Sequence, residues 1–275
     1  MPLANVNGIS LYYEETGQGF PILFSHEFAG DHRSWEPQVR FFSRSYRCIS
    51  YCHRGFPPSS VPDQPEAYSQ DIIIEDLREL ARFLNIQRGY FIGCSMGAQT
   101  VLMFACRYPE LCRGLVAVGA GSGSTNREDW FSGIDATVNT LHSGGIQAFV
   151  ETYGQGPTRQ RYQAKDPRGF EEFRQHLLEH DATGQELTML GVQKARPHLM
   201  SLGAELRQLR VPTLLVVGDE DEPCLEPGVF MKRTIPDAAL MVFPQTGHTV
   251  NIEEPDTFNQ ALLRFLNAVE QTSAN

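Results

Sequence analysis

Three side-chain types that together make a competent nucleophile lie far apart in this chain: Ser95, the acidic run Asp219-Glu220-Asp221-Glu222, and His248. A serine hydroxyl is a poor nucleophile at neutral pH and needs a base within hydrogen-bond reach. Histidine titrates near neutrality, so it can take that proton and return it to a leaving group. A carboxylate on the other ring nitrogen fixes the tautomer and stabilises the imidazolium. The surroundings of Ser95 fit the first role. Gly93-Cys94-Ser95-Met96-Gly97 follows the apolar stretch Tyr90-Phe91-Ile92 and precedes the apolar helical pattern Val101, Leu102, Phe104, Ala105. A strand that reverses into a helix over one residue forces positive φ there, and only small residues fit two positions to either side. The hydroxyl is then lifted clear of the sheet at a helix N-terminus, whose free N–H groups can receive negative charge. This is the G-x-S-x-G pattern in its strand–turn–helix context.

The elements that would hold these residues follow from periodicity. Residues 3–15 alternate around Asn7-Gly8, a type I′ hairpin signal. Strands are expected at 21–25, 47–52, 90–93, 114–119, 211–218 and 239–243, and helices at 34–43, 71–85, 227–234 and 255–269. Strand and helix alternate, which implies a mostly parallel sheet with right-handed crossovers. Residues 211–218 are apolar throughout, as in a strand covered on both faces. From about 126 to 207 the alternation stops, and helix-like segments rich in aromatic and aliphatic residues replace it. Ligands of open parallel sheets bind beyond the carboxyl ends of the strands. Ser95, the acidic run and His248 all fall at such ends, in the order Ser, acid, His.

Composition narrows the function class. A formal net charge of −10 over 275 residues argues against a nucleic-acid surface, and no apolar run approaches the length of a membrane span. The N-terminus has no basic, apolar leader pattern, so a cytoplasmic enzyme is expected. Six cysteines show no disulfide framework spacing and read as reduced, buried thiols. Cys48, Cys52 and His53 match no usual zinc spacing; His176 and His180, four apart on one helix face, could bind a metal, but with Glu172 and Glu179 nearby they read as a solvated charged face, and no metal site is expected.

Taken together, the Gly93–Gly97 elbow, the Gly218-Asp219-Glu220-Asp221 turn, Gly247-His248, His26 after the third strand and the His53-Arg54-Gly55-Phe56 loop resemble the α/β-hydrolase fold family along essentially the whole chain. The resemblance implies an α/β fold with a mostly parallel, eight-stranded sheet flanked by helices. It also implies a core of residues 1–124 and 208–275 and a helical cap insertion at 125–207. It places the triad acid on Asp221, with Asp219 as the alternative, and the oxyanion hole on the backbone N–H groups of Phe28 and Met96. His26 would hold its loop rather than act as a base. Relatives usually carry Gly where this chain has Glu27, which is either a structural ion pair or a group that binds a cationic or hydroxylated part of the substrate or acts as an auxiliary acid. Glu27, Trp130 and Val250 are the candidate substrate-binding residues, with Phe28 and Met96 also candidates for the pocket wall.

The function implied is a cofactor-free serine hydrolase acting on an ester or lactone of a small molecule, as a monomer or homodimer. Carbon–carbon bond hydrolysis of a ring-fission product and a haloperoxidase or perhydrolase activity are the alternatives within the fold. A non-catalytic binder is the alternative outside it. Dehalogenases and epoxide hydrolases of this fold use an aspartate nucleophile, so Ser95 argues against both.

Overall fold

Residues 2–274 are described by the computed structural model. Eight strands form one sheet in the order β1-β2-β4-β3-β5-β6-β7-β8: Leu3–Val6, Ile9–Thr16, Phe20–Ser25, Tyr46–Tyr51, Gly89–Cys94, Cys112–Val118, Thr213–Gly218 and Ala238–Phe243 for β1 to β8. β1 and β2 form an antiparallel hairpin, and β2 is antiparallel to β4; from β4 to β8 every pairing is parallel. The hairpin turns through Asn7 (φ 46°) and Gly8 (φ 77°), the paired positive φ of a type I′ turn.

Eleven α-helices appear among the described residues: α1 Glu36–Phe42, α2 Gln70–Phe83, α3 Met96–Arg107, α4 Arg127–Thr152, α5 Gln160–Lys165, α6 Pro167–Leu178, α7 Ala182–Thr188, α8 Gly203–Gln208, α9 Glu222–Thr234, α10 Val250–Glu253 and α11 Pro255–Ala274. Caps set several of the starts. The Ser69 hydroxyl accepts from the Ile72 N–H at the head of α2, and Asn126 and Asp166 do the same for α4 and α6.

Alternating strand residues build two apolar layers. Leu23, Phe91, Leu115 and Leu215 pack with Leu77 and Leu80 of α2 and Val101 to Ala105 of α3. Ile22, Ile92, Val116 and Val216 pack on the opposite face with Phe42 of α1 and Phe258, Leu262 and Leu266 of α11. Because both faces are covered, β5 and β7 are buried along their whole length, and their sequences need no polar alternation.

Between β6 and β7 the chain is helical, from α4 to α8, with no strand among the described residues. A third apolar cluster joins this segment to the sheet's loops. It holds Phe28 and Met96 from the core with Ile134, Val138, Phe149, Val150 and Leu177 from the insertion. Phe28 meets Phe149 and Tyr153 edge-on, at 5.9 and 5.5 Å between ring centroids. Burying each such ring contributes about 1.5–3 kcal/mol, so a few of them seat the insertion firmly.

One boundary differs from expectation. The helix expected at 227–234 begins at Glu222, with Pro223 in its first turn and Pro227 inside it. Proline suits the first turn because that N–H has no helical partner. Pro227 is buried, and tertiary packing outweighs its poor helix propensity.

Candidate active site

The turn at Ser95 has the backbone that its neighbours demand. Ser95 lies at φ 53°, ψ −109° and is the cap residue of α3. A Cβ at Gly93 would collide with the Gly97 carbonyl, and one at Gly97 with the Ser25 carbonyl, so both positions need glycine. The Ser95 N–H donates to the Val118 carbonyl at 2.8 Å, which ties the strained residue to the end of β6. Met96 opens α3, so its N–H is among those the helix cannot satisfy itself.

His248 lies in the loop after β8. Glu253 of α10 holds that loop: its carboxylate accepts from the N–H groups of Gly247 (2.7 Å) and Thr249 (2.9 Å) and from the Thr249 hydroxyl (3.1 Å). His248 Nδ1 is 2.8 Å from Asp221 Oδ2, and both side chains are buried. Burial alone would lower the histidine's proton affinity, but the adjacent Asp221 charge and hydrogen bond outweigh it, so the net shift is upward. Asp219 instead accepts from the Thr246 N–H at 3.2 Å and steadies the turn. Of the two acids considered, Asp221 is the one on the imidazole.

Ser95 and His248 face one cavity of about 380 Å³, with Ser122, Trp130, Tyr153, Gln193 and Pro223 in its wall. No hydrogen bond joins the Ser95 hydroxyl to His248 among the described residues; such contacts are often long until a substrate closes the site. Larger cavities of about 490 and 640 Å³ lie elsewhere, one at the seam beside Asp31 and His176 and one against β8 and α11. Neither contains Ser95, Asp221 or His248, so chemistry rather than size marks the candidate site.

The other residues singled out in the sequence fall in different places. Trp130 is in the cavity wall, its indole N–H donating to the Gln193 carbonyl at 3.2 Å. Val250 is fully buried in the apolar layer with Phe24, Trp35 and Phe258, so it supports the histidine loop from beneath rather than lining the cavity. Glu27 is buried too, and both its oxygens are taken by Arg159, from the 3-10 turn Pro157–Arg159 of the insertion. Its carboxylate is engaged in an ion pair and is not open to a substrate.

His26 receives the His53 N–H on Nε2 at 3.0 Å, so Nδ1 carries the proton and donates to the Glu27 carbonyl at 2.6 Å. Burial holds its pKa down to about 4, which keeps it neutral. It is a fixed brace for the loop that carries Phe28.

The metal groupings separate. His180 lies beyond the end of α6, with Nδ1 against Gln185 and Nε2 3.5 Å from Asp31, while His176 borders the seam cavity. Among the described residues, Asp221, Cys224 and His248 are near enough to share an ion, but they include the acid–imidazole pair. Burial raises the Cys224 thiol's pKa well above its ordinary range, so the group rests as a protonated thiol.

Sequence reasoning missed Arg159, Glu253, Gln193 and Tyr153. Glu253 had a readable signal, an acid in the first turn of a short helix after Thr249. The other three belong to the insertion, whose packing no short motif encodes.

Comparison with known proteins agrees with this fold. The model of the alpha/beta hydrolase fold family matches residues 21–255. A putative carbamate hydrolase, RutD, of Agrobacterium fabrum is 28% identical over 260 residues, covering 91% of this chain and 94% of that protein. The structure of a thermophilic esterase from Thermogutta terrifontis superposes with a TM-score of 0.83 at 25% identity, over 98% of each chain. The enol-lactonase from Burkholderia xenovorans LB400 gives 0.86 at 24% identity, over 97% of this chain and all of that one. No helix among the described residues is long and apolar enough to cross a membrane. With its sheet order, its elbow serine and a family match over most of its length, this chain belongs to the α/β-hydrolase fold family.

Proposed function

We propose that the protein is a serine hydrolase that cleaves a carboxylic ester or lactone bond of a small molecule through an acyl-enzyme. The observation that carries this reading is the 2.8 Å contact of His248 Nδ1 with Asp221, which leaves Nε2 for the cavity that Ser95 also faces. Ser95 Oγ attacks the carbonyl carbon and its proton passes to His248. The imidazolium that forms is stabilised by Asp221. The oxyanion receives the N–H groups of Phe28 and Met96, each worth about 3 kcal/mol in the transition state. His248 then protonates the leaving oxygen. In the second half it takes a proton from water, which attacks the acyl-enzyme and releases the acid and the free serine.

Nucleophile, base, acid and oxyanion donors all come from the chain. The helical insertion serves as the cap, closing the cavity and presenting Trp130 as an apolar wall. The relatives named as a carbamate hydrolase, an esterase and an enol-lactonase all imply attack on an acyl carbon, which favours this reaction class. Turnover of 4-nitrophenyl acetate tests it. Ser95→Ala should lower kcat by about 10⁴-fold or more. An unchanged rate would end the proposal.

A further inference from the structure

Buried guanidinium groups in this molecule come in two kinds. Arg54 holds Asp76 through two hydrogen bonds of 2.6 Å, and Arg159 holds Glu27 through two more. Arg196 is equally buried, at 3% exposure, yet has no carboxylate within ion-pair distance among the described residues. Its Nη1 has no hydrogen-bond partner, and its Nη2 reaches only the Ser122 carbonyl, at 3.4 Å. Its remaining polar neighbourhood is another cation, Arg127, together with Tyr153 and Cys224. Burial lowers its pKa to about 10, so it stays charged at neutral pH. An uncompensated buried charge is strongly unfavourable and calls for a partner.

The position of Arg196 says where that partner would come from. Ser122, to which Arg196 donates, lines the cavity that Ser95 and His248 face. So does Trp130, whose ring centroid is 5.7 Å from the Arg196 guanidinium carbon. Gln193, three residues earlier, lines the same cavity, and its buried Oε1 is unpartnered as well. Two unmatched polar groups thus meet at the part of the cavity formed by Ser122, Trp130 and Gln193: the Gln193 amide in the wall and the Arg196 guanidinium directly behind Ser122 and Trp130.

We infer that Arg196 is the counter-charge for a substrate carboxylate, so that the cavity selects esters or lactones carrying a second, ionised acid group. This deepens the hydrolase reading and rests on it for the reaction, but not for the binding. A planar guanidinium pairs a carboxylate through two parallel hydrogen bonds, and in a dry cavity that pairing both anchors and orients the molecule. A neutral analogue leaves the guanidinium unpaired and forfeits that interaction.

The test compares substrates differing only in that charge: 4-nitrophenyl hydrogen adipate against 4-nitrophenyl hexanoate, and 4-carboxyphenyl acetate against its methyl ester. The wild-type protein should prefer the charged member of at least one pair by tenfold or more in kcat/KM. Arg196→Met should collapse that ratio toward one, and Arg196→Lys should restore part of it. Arg196→Met should also raise the melting temperature, whereas loss of a merely structural cation would lower it. A second readout does not need turnover: in Ser95→Ala, adipate should raise the melting temperature and Arg196→Met should abolish that rise. If no ester is cleaved but adipate stabilises through Arg196, the carboxylate site stands and the hydrolase reading falls. Ester cleavage with no charge preference in either pair, or a preference that survives Arg196→Met, overturns the inference.

Discussion

Replacing Arg159 with Met should destabilise the protein far more than replacing Arg159 and Glu27 together. Arg159 and Glu27 are 1% and 3% exposed, and both carboxylate oxygens are bound to the guanidinium. In Arg159→Met the Glu27 carboxylate stays buried without its cation, and breaking a buried pair from one side costs about 3–5 kcal/mol. For a chain of this size that lowers the melting temperature by about 6–15 °C. The double variant Glu27→Gln/Arg159→Met removes both charges, and the coupling recovered should be about 2–3 kcal/mol. Recovery is incomplete because the Arg159 guanidinium also lies 5.0 Å from the centre of the Phe173 ring. The pair has a catalytic signature too, since Glu27 raises the proton affinity of His248 and Arg159 lowers it. Activity needs the neutral imidazole, so the rising limb of kcat/KM against pH should move to higher pH in Arg159→Met and to lower pH in Glu27→Gln. Thermal unfolding of the four proteins and their pH–rate profiles give both answers. A loss below 1 kcal/mol in Arg159→Met, with no recovery in the double variant, would mean that the Glu27 carboxylate is not held by Arg159.

Two further outcomes follow from the site. In Asp221→Asn the charge that raises the His248 pKa is gone while its burial remains, so that pKa should fall below the ordinary 6.5. The limb of the pH–rate profile should move to lower pH while kcat drops by about 10⁴-fold; the same variant at Asp219 should leave the limb in place. The sign carries to stability: in the wild type the raised pKa makes the His248–Asp221 contribution complete below pH 6.5 and loses it as pH rises through the folded value. Denaturant midpoints of wild type and Asp221→Asn should therefore converge on the alkaline side. At the elbow, Ser95→Gly should be more stable than Ser95→Ala by about 1 kcal/mol, because φ 53° strains every residue except glycine. Gly97→Ala should lose about 1–3 kcal/mol or more, since its methyl meets the Ser25 carbonyl.

Local chemistry explains which parts were readable beforehand. The Asn7-Gly8 turn, the doubly buried β5 and β7 and the small residues around Ser95 each leave a local imprint, because backbone conformation and two-sided burial restrict residue type directly. The histidine and the acid were readable because the sheet's connectivity brings strand ends to one rim. Val250 was not: beside His248 it looks like a pocket residue, but α10 turns it down into the layer with Trp35 and Phe258. Glu27 was visible as a departure from glycine, yet its meaning depends on Arg159, 132 positions along the chain. Arg196 shows the same limit, since an unpaired charge is defined only by what packs around it.

The claim on which the rest depends is that Ser95 is the nucleophile, activated where it stands. Treating the protein with a fluorophosphonate and mapping the adduct by peptide mass spectrometry tests this most directly. One stoichiometric adduct should form on Ser95, be lost in Ser95→Ala and be slowed by orders of magnitude in His248→Ala. An unlabelled Ser95, or labelling indifferent to His248, would contradict that claim.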